Sequence, residues 1–316
     1  MTASSDDLTK LLGWAGRYTG RPVKPADCSQ DHRQSRVLRL FCDGRVTAYL
    51  KMHRHARKFT QEWAAYTRLL PQLAGRMTPC LLATDERRKT LLIEAVNGTV
   101  LESATTTPAL RQQCYEQAGR FLRGLHGLQH VDLDPLSPAE AFARRSEHWL
   151  NRAGGLLPPA VLATVRGELL RKPSPVRGRE RRQCHRDFTA RNWILRDLAS
   201  GSSGQEPLPV IDFEHARPDL PLVDVERVFA SLADDVDSER LFTAFRRGYE
   251  APLANDGSRL RPTAVDDLTH SAAFRAVRLQ SALSSVVWAR RHNDATFERR
   301  GRREIERLLD TPAAAD

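Results

Sequence analysis

The chain lacks an unbroken apolar run of the ~18 residues that a membrane span needs, although 41% of its 316 residues are hydrophobic. A helical transmembrane protein is thereby excluded, while the length suits one large or two modest domains with a real core. Paired cysteine spacing is also missing. Cys28, Cys42, Cys80, Cys114 and Cys184 are odd in number and contain no CxxC, so they read as reduced thiols rather than a disulfide framework or a zinc site. The opening MTASSDDLTK has no charged-then-apolar layout of a secretory signal. A cytoplasmic protein is the expectation. Aromatics are scarce at 7%, and no internal repeat or long low-complexity segment is present.

Charge is what the chain has in quantity. The formal net charge is +10, which permits a nucleic-acid partner. The densest basic stretch, RKPSPVRGRERR at 171–182, carries Pro and Gly and nothing to stack bases on. A basic surface without nucleic acid is the preferred reading. Residues 212–239 run the other way, with nine acids and two bases. That suggests either a polar cleft that receives cations or a solvated acidic face.

Periodicity divides the chain. RVLRLFC and RVTAYLKM, at 36–52, alternate around Asp43-Gly44, a two-residue hairpin signal. Val46, Ala48, Leu50 and Met52 then share one face, with Thr47, Tyr49 and Lys51 on the other. Residues 55–70 read as a helix burying Phe59, Ala64, Tyr66 and Leu70, and TLLIEAV at 90–96 as a buried strand ended by Asn97-Gly98. Beyond this the pattern is helical, interrupted by two short strands, NWIL and PVIDFE, read as a hairpin. The expectation is an α+β chain with a small β-rich lobe, 1–96, and a larger α-helical lobe, 97–316.

The chemistry-bearing residues flank that second hairpin. In CHRDFTARNWIL, at 184–195, Asp187 and Asn192 stand just before the first strand, and Asp212 ends the apolar PVI of the second. Pairing the strands brings Asn192 and Asp212 together as oxygen ligands for a hard cation, with Asp187 nearby as a lone carboxylate. Phosphoryl transfer requires this set: Mg²⁺ on oxygen ligands and a carboxylate to orient an attacking hydroxyl. Upstream, Lys51 on a strand and Glu62 on the next helix form a pair able to position a charge against nucleotide phosphates.

HRDFTARN at 185–192 resembles the HRDxxxxN loop of protein kinases. The wider pattern of His185, Asp187, Asn192, Ile211-Asp212-Phe213-Glu214 and Asp224 resembles the aminoglycoside phosphotransferase family, the small-molecule branch of the protein-kinase-like two-lobe fold. AGRFLRGLH, at 118–126, resembles the helix ahead of that family's loop. The resemblance implies Asp187 as catalytic base, Asn192 and Asp212 as Mg²⁺ ligands, and Lys51 on the phosphates oriented by Glu62. It also implies that Glu94 and Val96 meet adenine through their backbone, and that His185 and Asp224 brace the loop.

Two departures accompany it. The segment expected to cover the phosphates, SQDHRQS at 29–35, has no glycine. Ser35 is the candidate there, with ATP and GTP both open. Glu214 replaces the glycine of protein kinases, and no Ala-Pro-Glu triplet follows, which argues against a protein substrate. Glu214, Trp288, His292 and Asp294 are candidates for the acceptor site, and for Trp288 a place in the core is the competing reading.

Together these observations predict a Mg²⁺-dependent enzyme, a monomer or homodimer, that moves the γ-phosphoryl of ATP or GTP to a hydroxyl. The acceptor is an antibiotic, an aminoglycoside or another natural product, and the role is resistance. The alternative is a housekeeping kinase of choline, a sugar or an amino alcohol. A protein kinase and a nucleic-acid-binding module stand behind both.

Overall fold

In the computed structural model, residues 5–29, 35–73, 77–128, 134–196, 208–252 and 269–311 are described. The Asp43-Gly44 hairpin forms as the dipeptide dictates. Asp43 and Gly44 take φ of 49° and 77°, the left-handed pair that a tight hairpin turn requires. The turn joins β2 (Ser35–Cys42) to β3 (Arg45–His53). With β1 (Lys24–Asp27), β4 (Leu81–Asp85) and β5 (Thr90–Glu94) they make an antiparallel sheet ordered β1-β2-β3-β5-β4.

The two faces of β3 do different work. Ala48 and Leu50 join Leu38, Leu40 and Leu92 under Leu11 and Ala15 of α1 (Ser5–Thr19). Lys51 therefore points to the opposite face, toward α2 (Ala56–Ala64). Helix α2 does not continue regularly to residue 70. It passes into a π turn at Ala65–Leu69 and a 3₁₀ turn at Leu70–Gln72. The wider turn slips the buried face by one position, so Ala65 is buried and Ala64 only half-buried.

The rest is helical: α3 (Pro108–Gly127), α4 (Pro138–Arg152), α5 (Pro159–Leu170), α6 (Leu222–Ser231), α7 (Ser238–Glu250), α8 (Ala272–Arg291) and α9 (Ala295–Asp310). The starts are written in the sequence. Ser137 and Glu140 form a reciprocal capping box on α4, and Thr107 and Ser271 cap α3 and α8. No helix among the described residues is long and apolar enough to cross a membrane.

Two short ladders seat the loops. β6 (Thr99–Val100) pairs with β8 (Ile194–Leu195), and β7 (Arg182–Cys184) with β9 (Arg217–Asp219). The expected PVIDFE strand is shorter than its sequence suggests. It makes one bridge, Trp193 to Val210, and the chain turns at Asp212, whose φ is 66°. The pairing still brings the two ends together, since the Ile211 N–H donates to the Asn192 carbonyl at 2.9 Å. Most of the loop between these segments lies outside the described residues.

Helices α3 and α7 cross where Gly119 faces Phe245 and Tyr249 backbone and Gly248 faces that of Glu116. A Cβ on either glycine would overlap main-chain atoms, which cannot swing aside. Gly167 of α5 has nothing within 4 Å of where its Cβ would be. Gly248→Ala should lower unfolding free energy by about 1–3 kcal/mol through overpacking. Gly167→Ala should raise it by about 0.5–1 kcal/mol through helix propensity. Urea titration of both variants checks the opposite signs.

Candidate active site

The segment 184–192 is a loop held from below. Asp224, fully buried at the start of α6, accepts the His185 N–H at 2.8 Å and the Arg186 N–H at 2.5 Å. Its Oδ2 also receives His126 Nε2 at 3.2 Å, and His126 Nδ1 meets the Tyr249 hydroxyl at 2.8 Å. These bonds hold Arg186 at φ 67°, a conformation uncommon for a residue with a Cβ. Arg186 Nε also lies 2.8 Å from Asp219 Oδ2. His185 ties the loop to the strand before Asp212. Its Nδ1 accepts the Asp187 N–H at 3.3 Å, which leaves Nε2 to donate to the Ile211 carbonyl at 3.0 Å. Phe188 is buried against Phe121, Trp193 and His185. With Phe188 inward, the preceding Asp187 is left facing out.

Asp187 Oδ2 and main-chain oxygen accept from Asn192 Nδ2 at 3.2 and 2.8 Å, and Oδ1 accepts from Arg191 at 2.5 Å. Turning its amide nitrogen to Asp187 leaves Asn192 its carbonyl oxygen for a cation, one bridge away from the Asp212 carboxylate. Both are hard oxygen donors of the kind Mg²⁺ takes.

Lys51 reaches across from β3. Its Nζ lies 2.6 Å from Asp212, 2.8 Å from Glu62 and 3.2 Å from Glu214. Burial alone would pull this amine down. The three carboxylates outweigh it, so Lys51 sits well above the ordinary amine range. For Glu214, burial raises the carboxyl, but the His215 hydrogen bond and Lys51 carry it down to about 2. Lys58, one helical turn before Glu62, approaches the His215 ring and the Glu214 carbonyl, and burial brings it down to about 8.

Two other clusters have metal-ligand composition, and neither is available. In His53, Glu62 and Glu214 the Lys51 ammonium already holds both carboxylates. In His126, Cys184 and Asp224 the carboxylate is taken by two backbone N–H groups and the His126 ring, and Cys184 Sγ donates to the carbonyls of Asp219 and Leu220.

The remaining candidates fall in different places. Glu94 ends β5 with its N–H on the Cys80 carbonyl, and Val96 follows two residues later, where the chain leaves the sheet. Ser35 begins β2, buried, with no hydrogen-bond partner for its hydroxyl. Residues 30–34 lie outside the described part. Trp288, His292 and Asp294 form the corner between α8 and α9. Trp288 stacks on His292 at 4.1 Å, and Asp294 caps α9 by accepting the Phe297 N–H at 2.9 Å. None of the three lines the cavity that opens beside Asp187. Nor does Trp288 belong to the core, since it is 42% exposed.

That cavity, of about 840 Å³, runs from Asp187, Thr189 and Arg191 along α6, α7, α8 and α9. The volume suits a drug-sized molecule. Six arginines and six carboxylates line it, with Phe229, Phe242 and Phe297. Residue patterns did not single out this cavity, nor His53, Lys58 or Arg191. The available signals were the i+2 spacing of His53 from Lys51, and the i+4 spacings of Lys58 before Glu62 and Arg191 after Asp187.

A model of the phosphotransferase enzyme family matches residues 24–263. The chain belongs to that family. The fold is that of the family's solved members. A gentamicin complex of APH(2")-IIa superposes with a TM-score of 0.65 at 15% identity, covering 99% of this chain and 98% of that one. A ternary complex of an APH(4)-Ia mutant with ADP and hygromycin B gives 0.64 at 14%, covering 97% and 100%. The macrolide 2'-phosphotransferase MphH from Brachybacterium faecium gives 0.59 at 15%, covering 97% and 99%. No curated protein matches the chain significantly.

Asp219 offers a test of how the loop is held. Burial raises its carboxyl, but Arg145 and Arg186 bring it from 3.8 down to about 2. A folded value below the unfolded one stabilises fully above about pH 4 and is lost as pH falls through 2, a contribution of roughly 2 kcal/mol. Asp219→Asn should cost at least that at neutral pH and flatten the loss of stability between pH 4 and 2, measured by urea unfolding.

Proposed function

We propose that this family member transfers the γ-phosphoryl group of ATP or GTP, with Mg²⁺, to a hydroxyl of a small natural product. What supports this reading above all is the convergence at one cleft of Lys51, Glu62, Asp212, Asn192 and Asp187, with Lys51 and Asp212 in contact from 161 residues apart.

Asp187 accepts or orients the proton of the attacking hydroxyl. Lys51, steadied by Glu62, holds the α- and β-phosphates, and the backbone at Glu94 and Val96 receives the purine edge. Asn192 and Asp212 would hold Mg²⁺, whose chemistry is to neutralise charge on the phosphate oxygens. Positioning and charge do most of the work in such a reaction. The solved relatives carry aminoglycosides or are named for macrolides. A drug-sized, hydroxyl-bearing natural product, with a resistance role, fits the volume of the cavity beside Asp187. A choline-type acceptor fits it less well. Quaternary ammonium sites rely on open aromatic faces, and the Phe229 face is already covered by Arg278 at 4.5 Å.

Coupled nucleotide turnover over a panel of hydroxyl-bearing natural products and small alcohols tests this. Asp187→Asn should lower kcat about 10²- to 10⁴-fold with nucleotide affinity unchanged, whereas Lys51→Ala should raise the nucleotide KM. Failure of the wild-type chain to bind Mg-ATP or Mg-GTP in calorimetry would end the proposal.

A further inference from the structure

Resting on the phosphotransferase reading, we propose that the acceptor carries a negatively charged group, carboxylate or phosphate, and that Arg191 is the residue that binds it. The two roles meet in one contact. Arg191 Nη2 donates to Asp187 Oδ1 at 2.5 Å, and both residues line the cavity. Arg191 therefore stands where an acceptor hydroxyl has to arrive. Its side chain is 47% exposed against 16% for that of Asp187, so the guanidinium is the open end of the pair and the one free to take a second partner. An anion on the acceptor gives the guanidinium a second partner, which it can take bidentately. As it turns to that anion, Oδ1 of Asp187 opens to the hydroxyl. Binding of the correct acceptor and uncovering of the base are then the same event.

Three of the cavity's six carboxylates, Asp187, Asp234 and Glu304, are spent on the chain's own arginines. Glu304 accepts from Arg278 at 2.5 Å and Arg307 at 3.0 Å, and Asp234 lies 3.4 Å from Arg300 and 3.6 Å from Arg303. Glu226 is buried, and burial pushes its carboxyl up toward the neutral form. Of the six, Glu102, Glu226 and Glu239 make no ion pair among the described residues, and of these Glu226 is the buried one. On the cationic side, Arg227 has a buried Nε with no hydrogen-bond acceptor among the described residues, and a buried donor in that state is costly until something fills it. A polycation would find few open carboxylates here. An anion finds Arg191 at the mouth and Arg227 along the wall, with phenylalanine rings between for an apolar skeleton.

The test uses the full chain with Mg-ATP or Mg-GTP and acceptors paired by charge: nucleosides against their 5'-monophosphates, hydroxy acids against their amides, and aminoglycosides as the cationic set. The expected result is a kcat/KM at least tenfold higher for the anionic member of a pair. Arg191→Ala should remove that preference by raising KM for the anionic acceptor about tenfold more than it raises KM for the neutral partner. Arg191→Lys should restore part of the preference, and an unchanged Tm in both variants separates this from misfolding. Best turnover on an aminoglycoside overturns the proposal, as does equal loss on both members of a pair in Arg191→Ala. So does turnover of no anionic compound while Asp187-dependent nucleotide hydrolysis persists, an outcome that leaves the phosphotransferase reading intact. Absence of nucleotide binding removes both.

Discussion

A single buried ammonium organises the cleft. Lys51 Nζ touches a helix carboxylate, Glu62, and two carboxylates that follow the loop bridge, Asp212 and Glu214. Removing any of these charges from water costs several kcal/mol, and only mutual proximity offsets it. The sheet, α2 and the 210–214 segment are therefore held in one arrangement by a cost none of them can bear alone. The offset is incomplete. Three carboxylates face Lys51 and the nearby Lys58, so negative charge remains in excess at the point where Asp212 turns into the cleft. A divalent cation at Asp212 would offset that excess.

The second constraint is backbone strain. Arg186 and Asp212 both hold positive φ without being glycine. Each sits beside a residue of the proposed chemistry, and each is fixed by neighbours that cannot relax. Asp224 takes the two N–H groups that define the Arg186 turn, and His185 bonds the carbonyl just before Asp212. The loop is thus positioned by buried polar groups on helices α3, α6 and α7. This is the usual way a rigid scaffold sets a functional loop.

Much of this could be read from residue order, and what could not has identifiable causes. Asp43-Gly44 and the alternation around it specify the hairpin and send Lys51 to the face away from Leu50. Spacing through the NWIL and PVI runs brings Asn192 beside Asp212, because a bridge needs only a pair of residues to form. The extent of the second strand was not legible, since the turn at Asp212 is imposed by tertiary bonds. A π turn displaced the buried face of α2, and no residue type announces a π turn. Trp288, His292 and Asp294 looked like a polar-aromatic set near a helix end. They are a helix corner, built from the same residue types that corners favour. The acidic stretch 212–239 suggested either a polar cleft for cations or a solvated acidic face, and pairing with arginines distant in sequence is invisible to a local count. Asp219 goes to Arg145 and Arg186, Asp234 to Arg300, and Asp235 to Arg111.

That pairing separates what the fold conserves from what it leaves free. Lys51, Asp187, Asn192 and Asp212 sit on the sheet and on a braced loop, where a change of geometry would disturb several buried charges at once. The cavity beside them is built from side chains on four helices whose backbones need only pack. Their polar ends can be exchanged without moving the loop. The same fold can therefore persist at 14–15% identity while the side chains that line such a cavity change. In this chain six arginines balance six carboxylates along that lining, and pairs such as Glu304 with Arg278 and Asp234 with Arg300 join residues far apart in sequence.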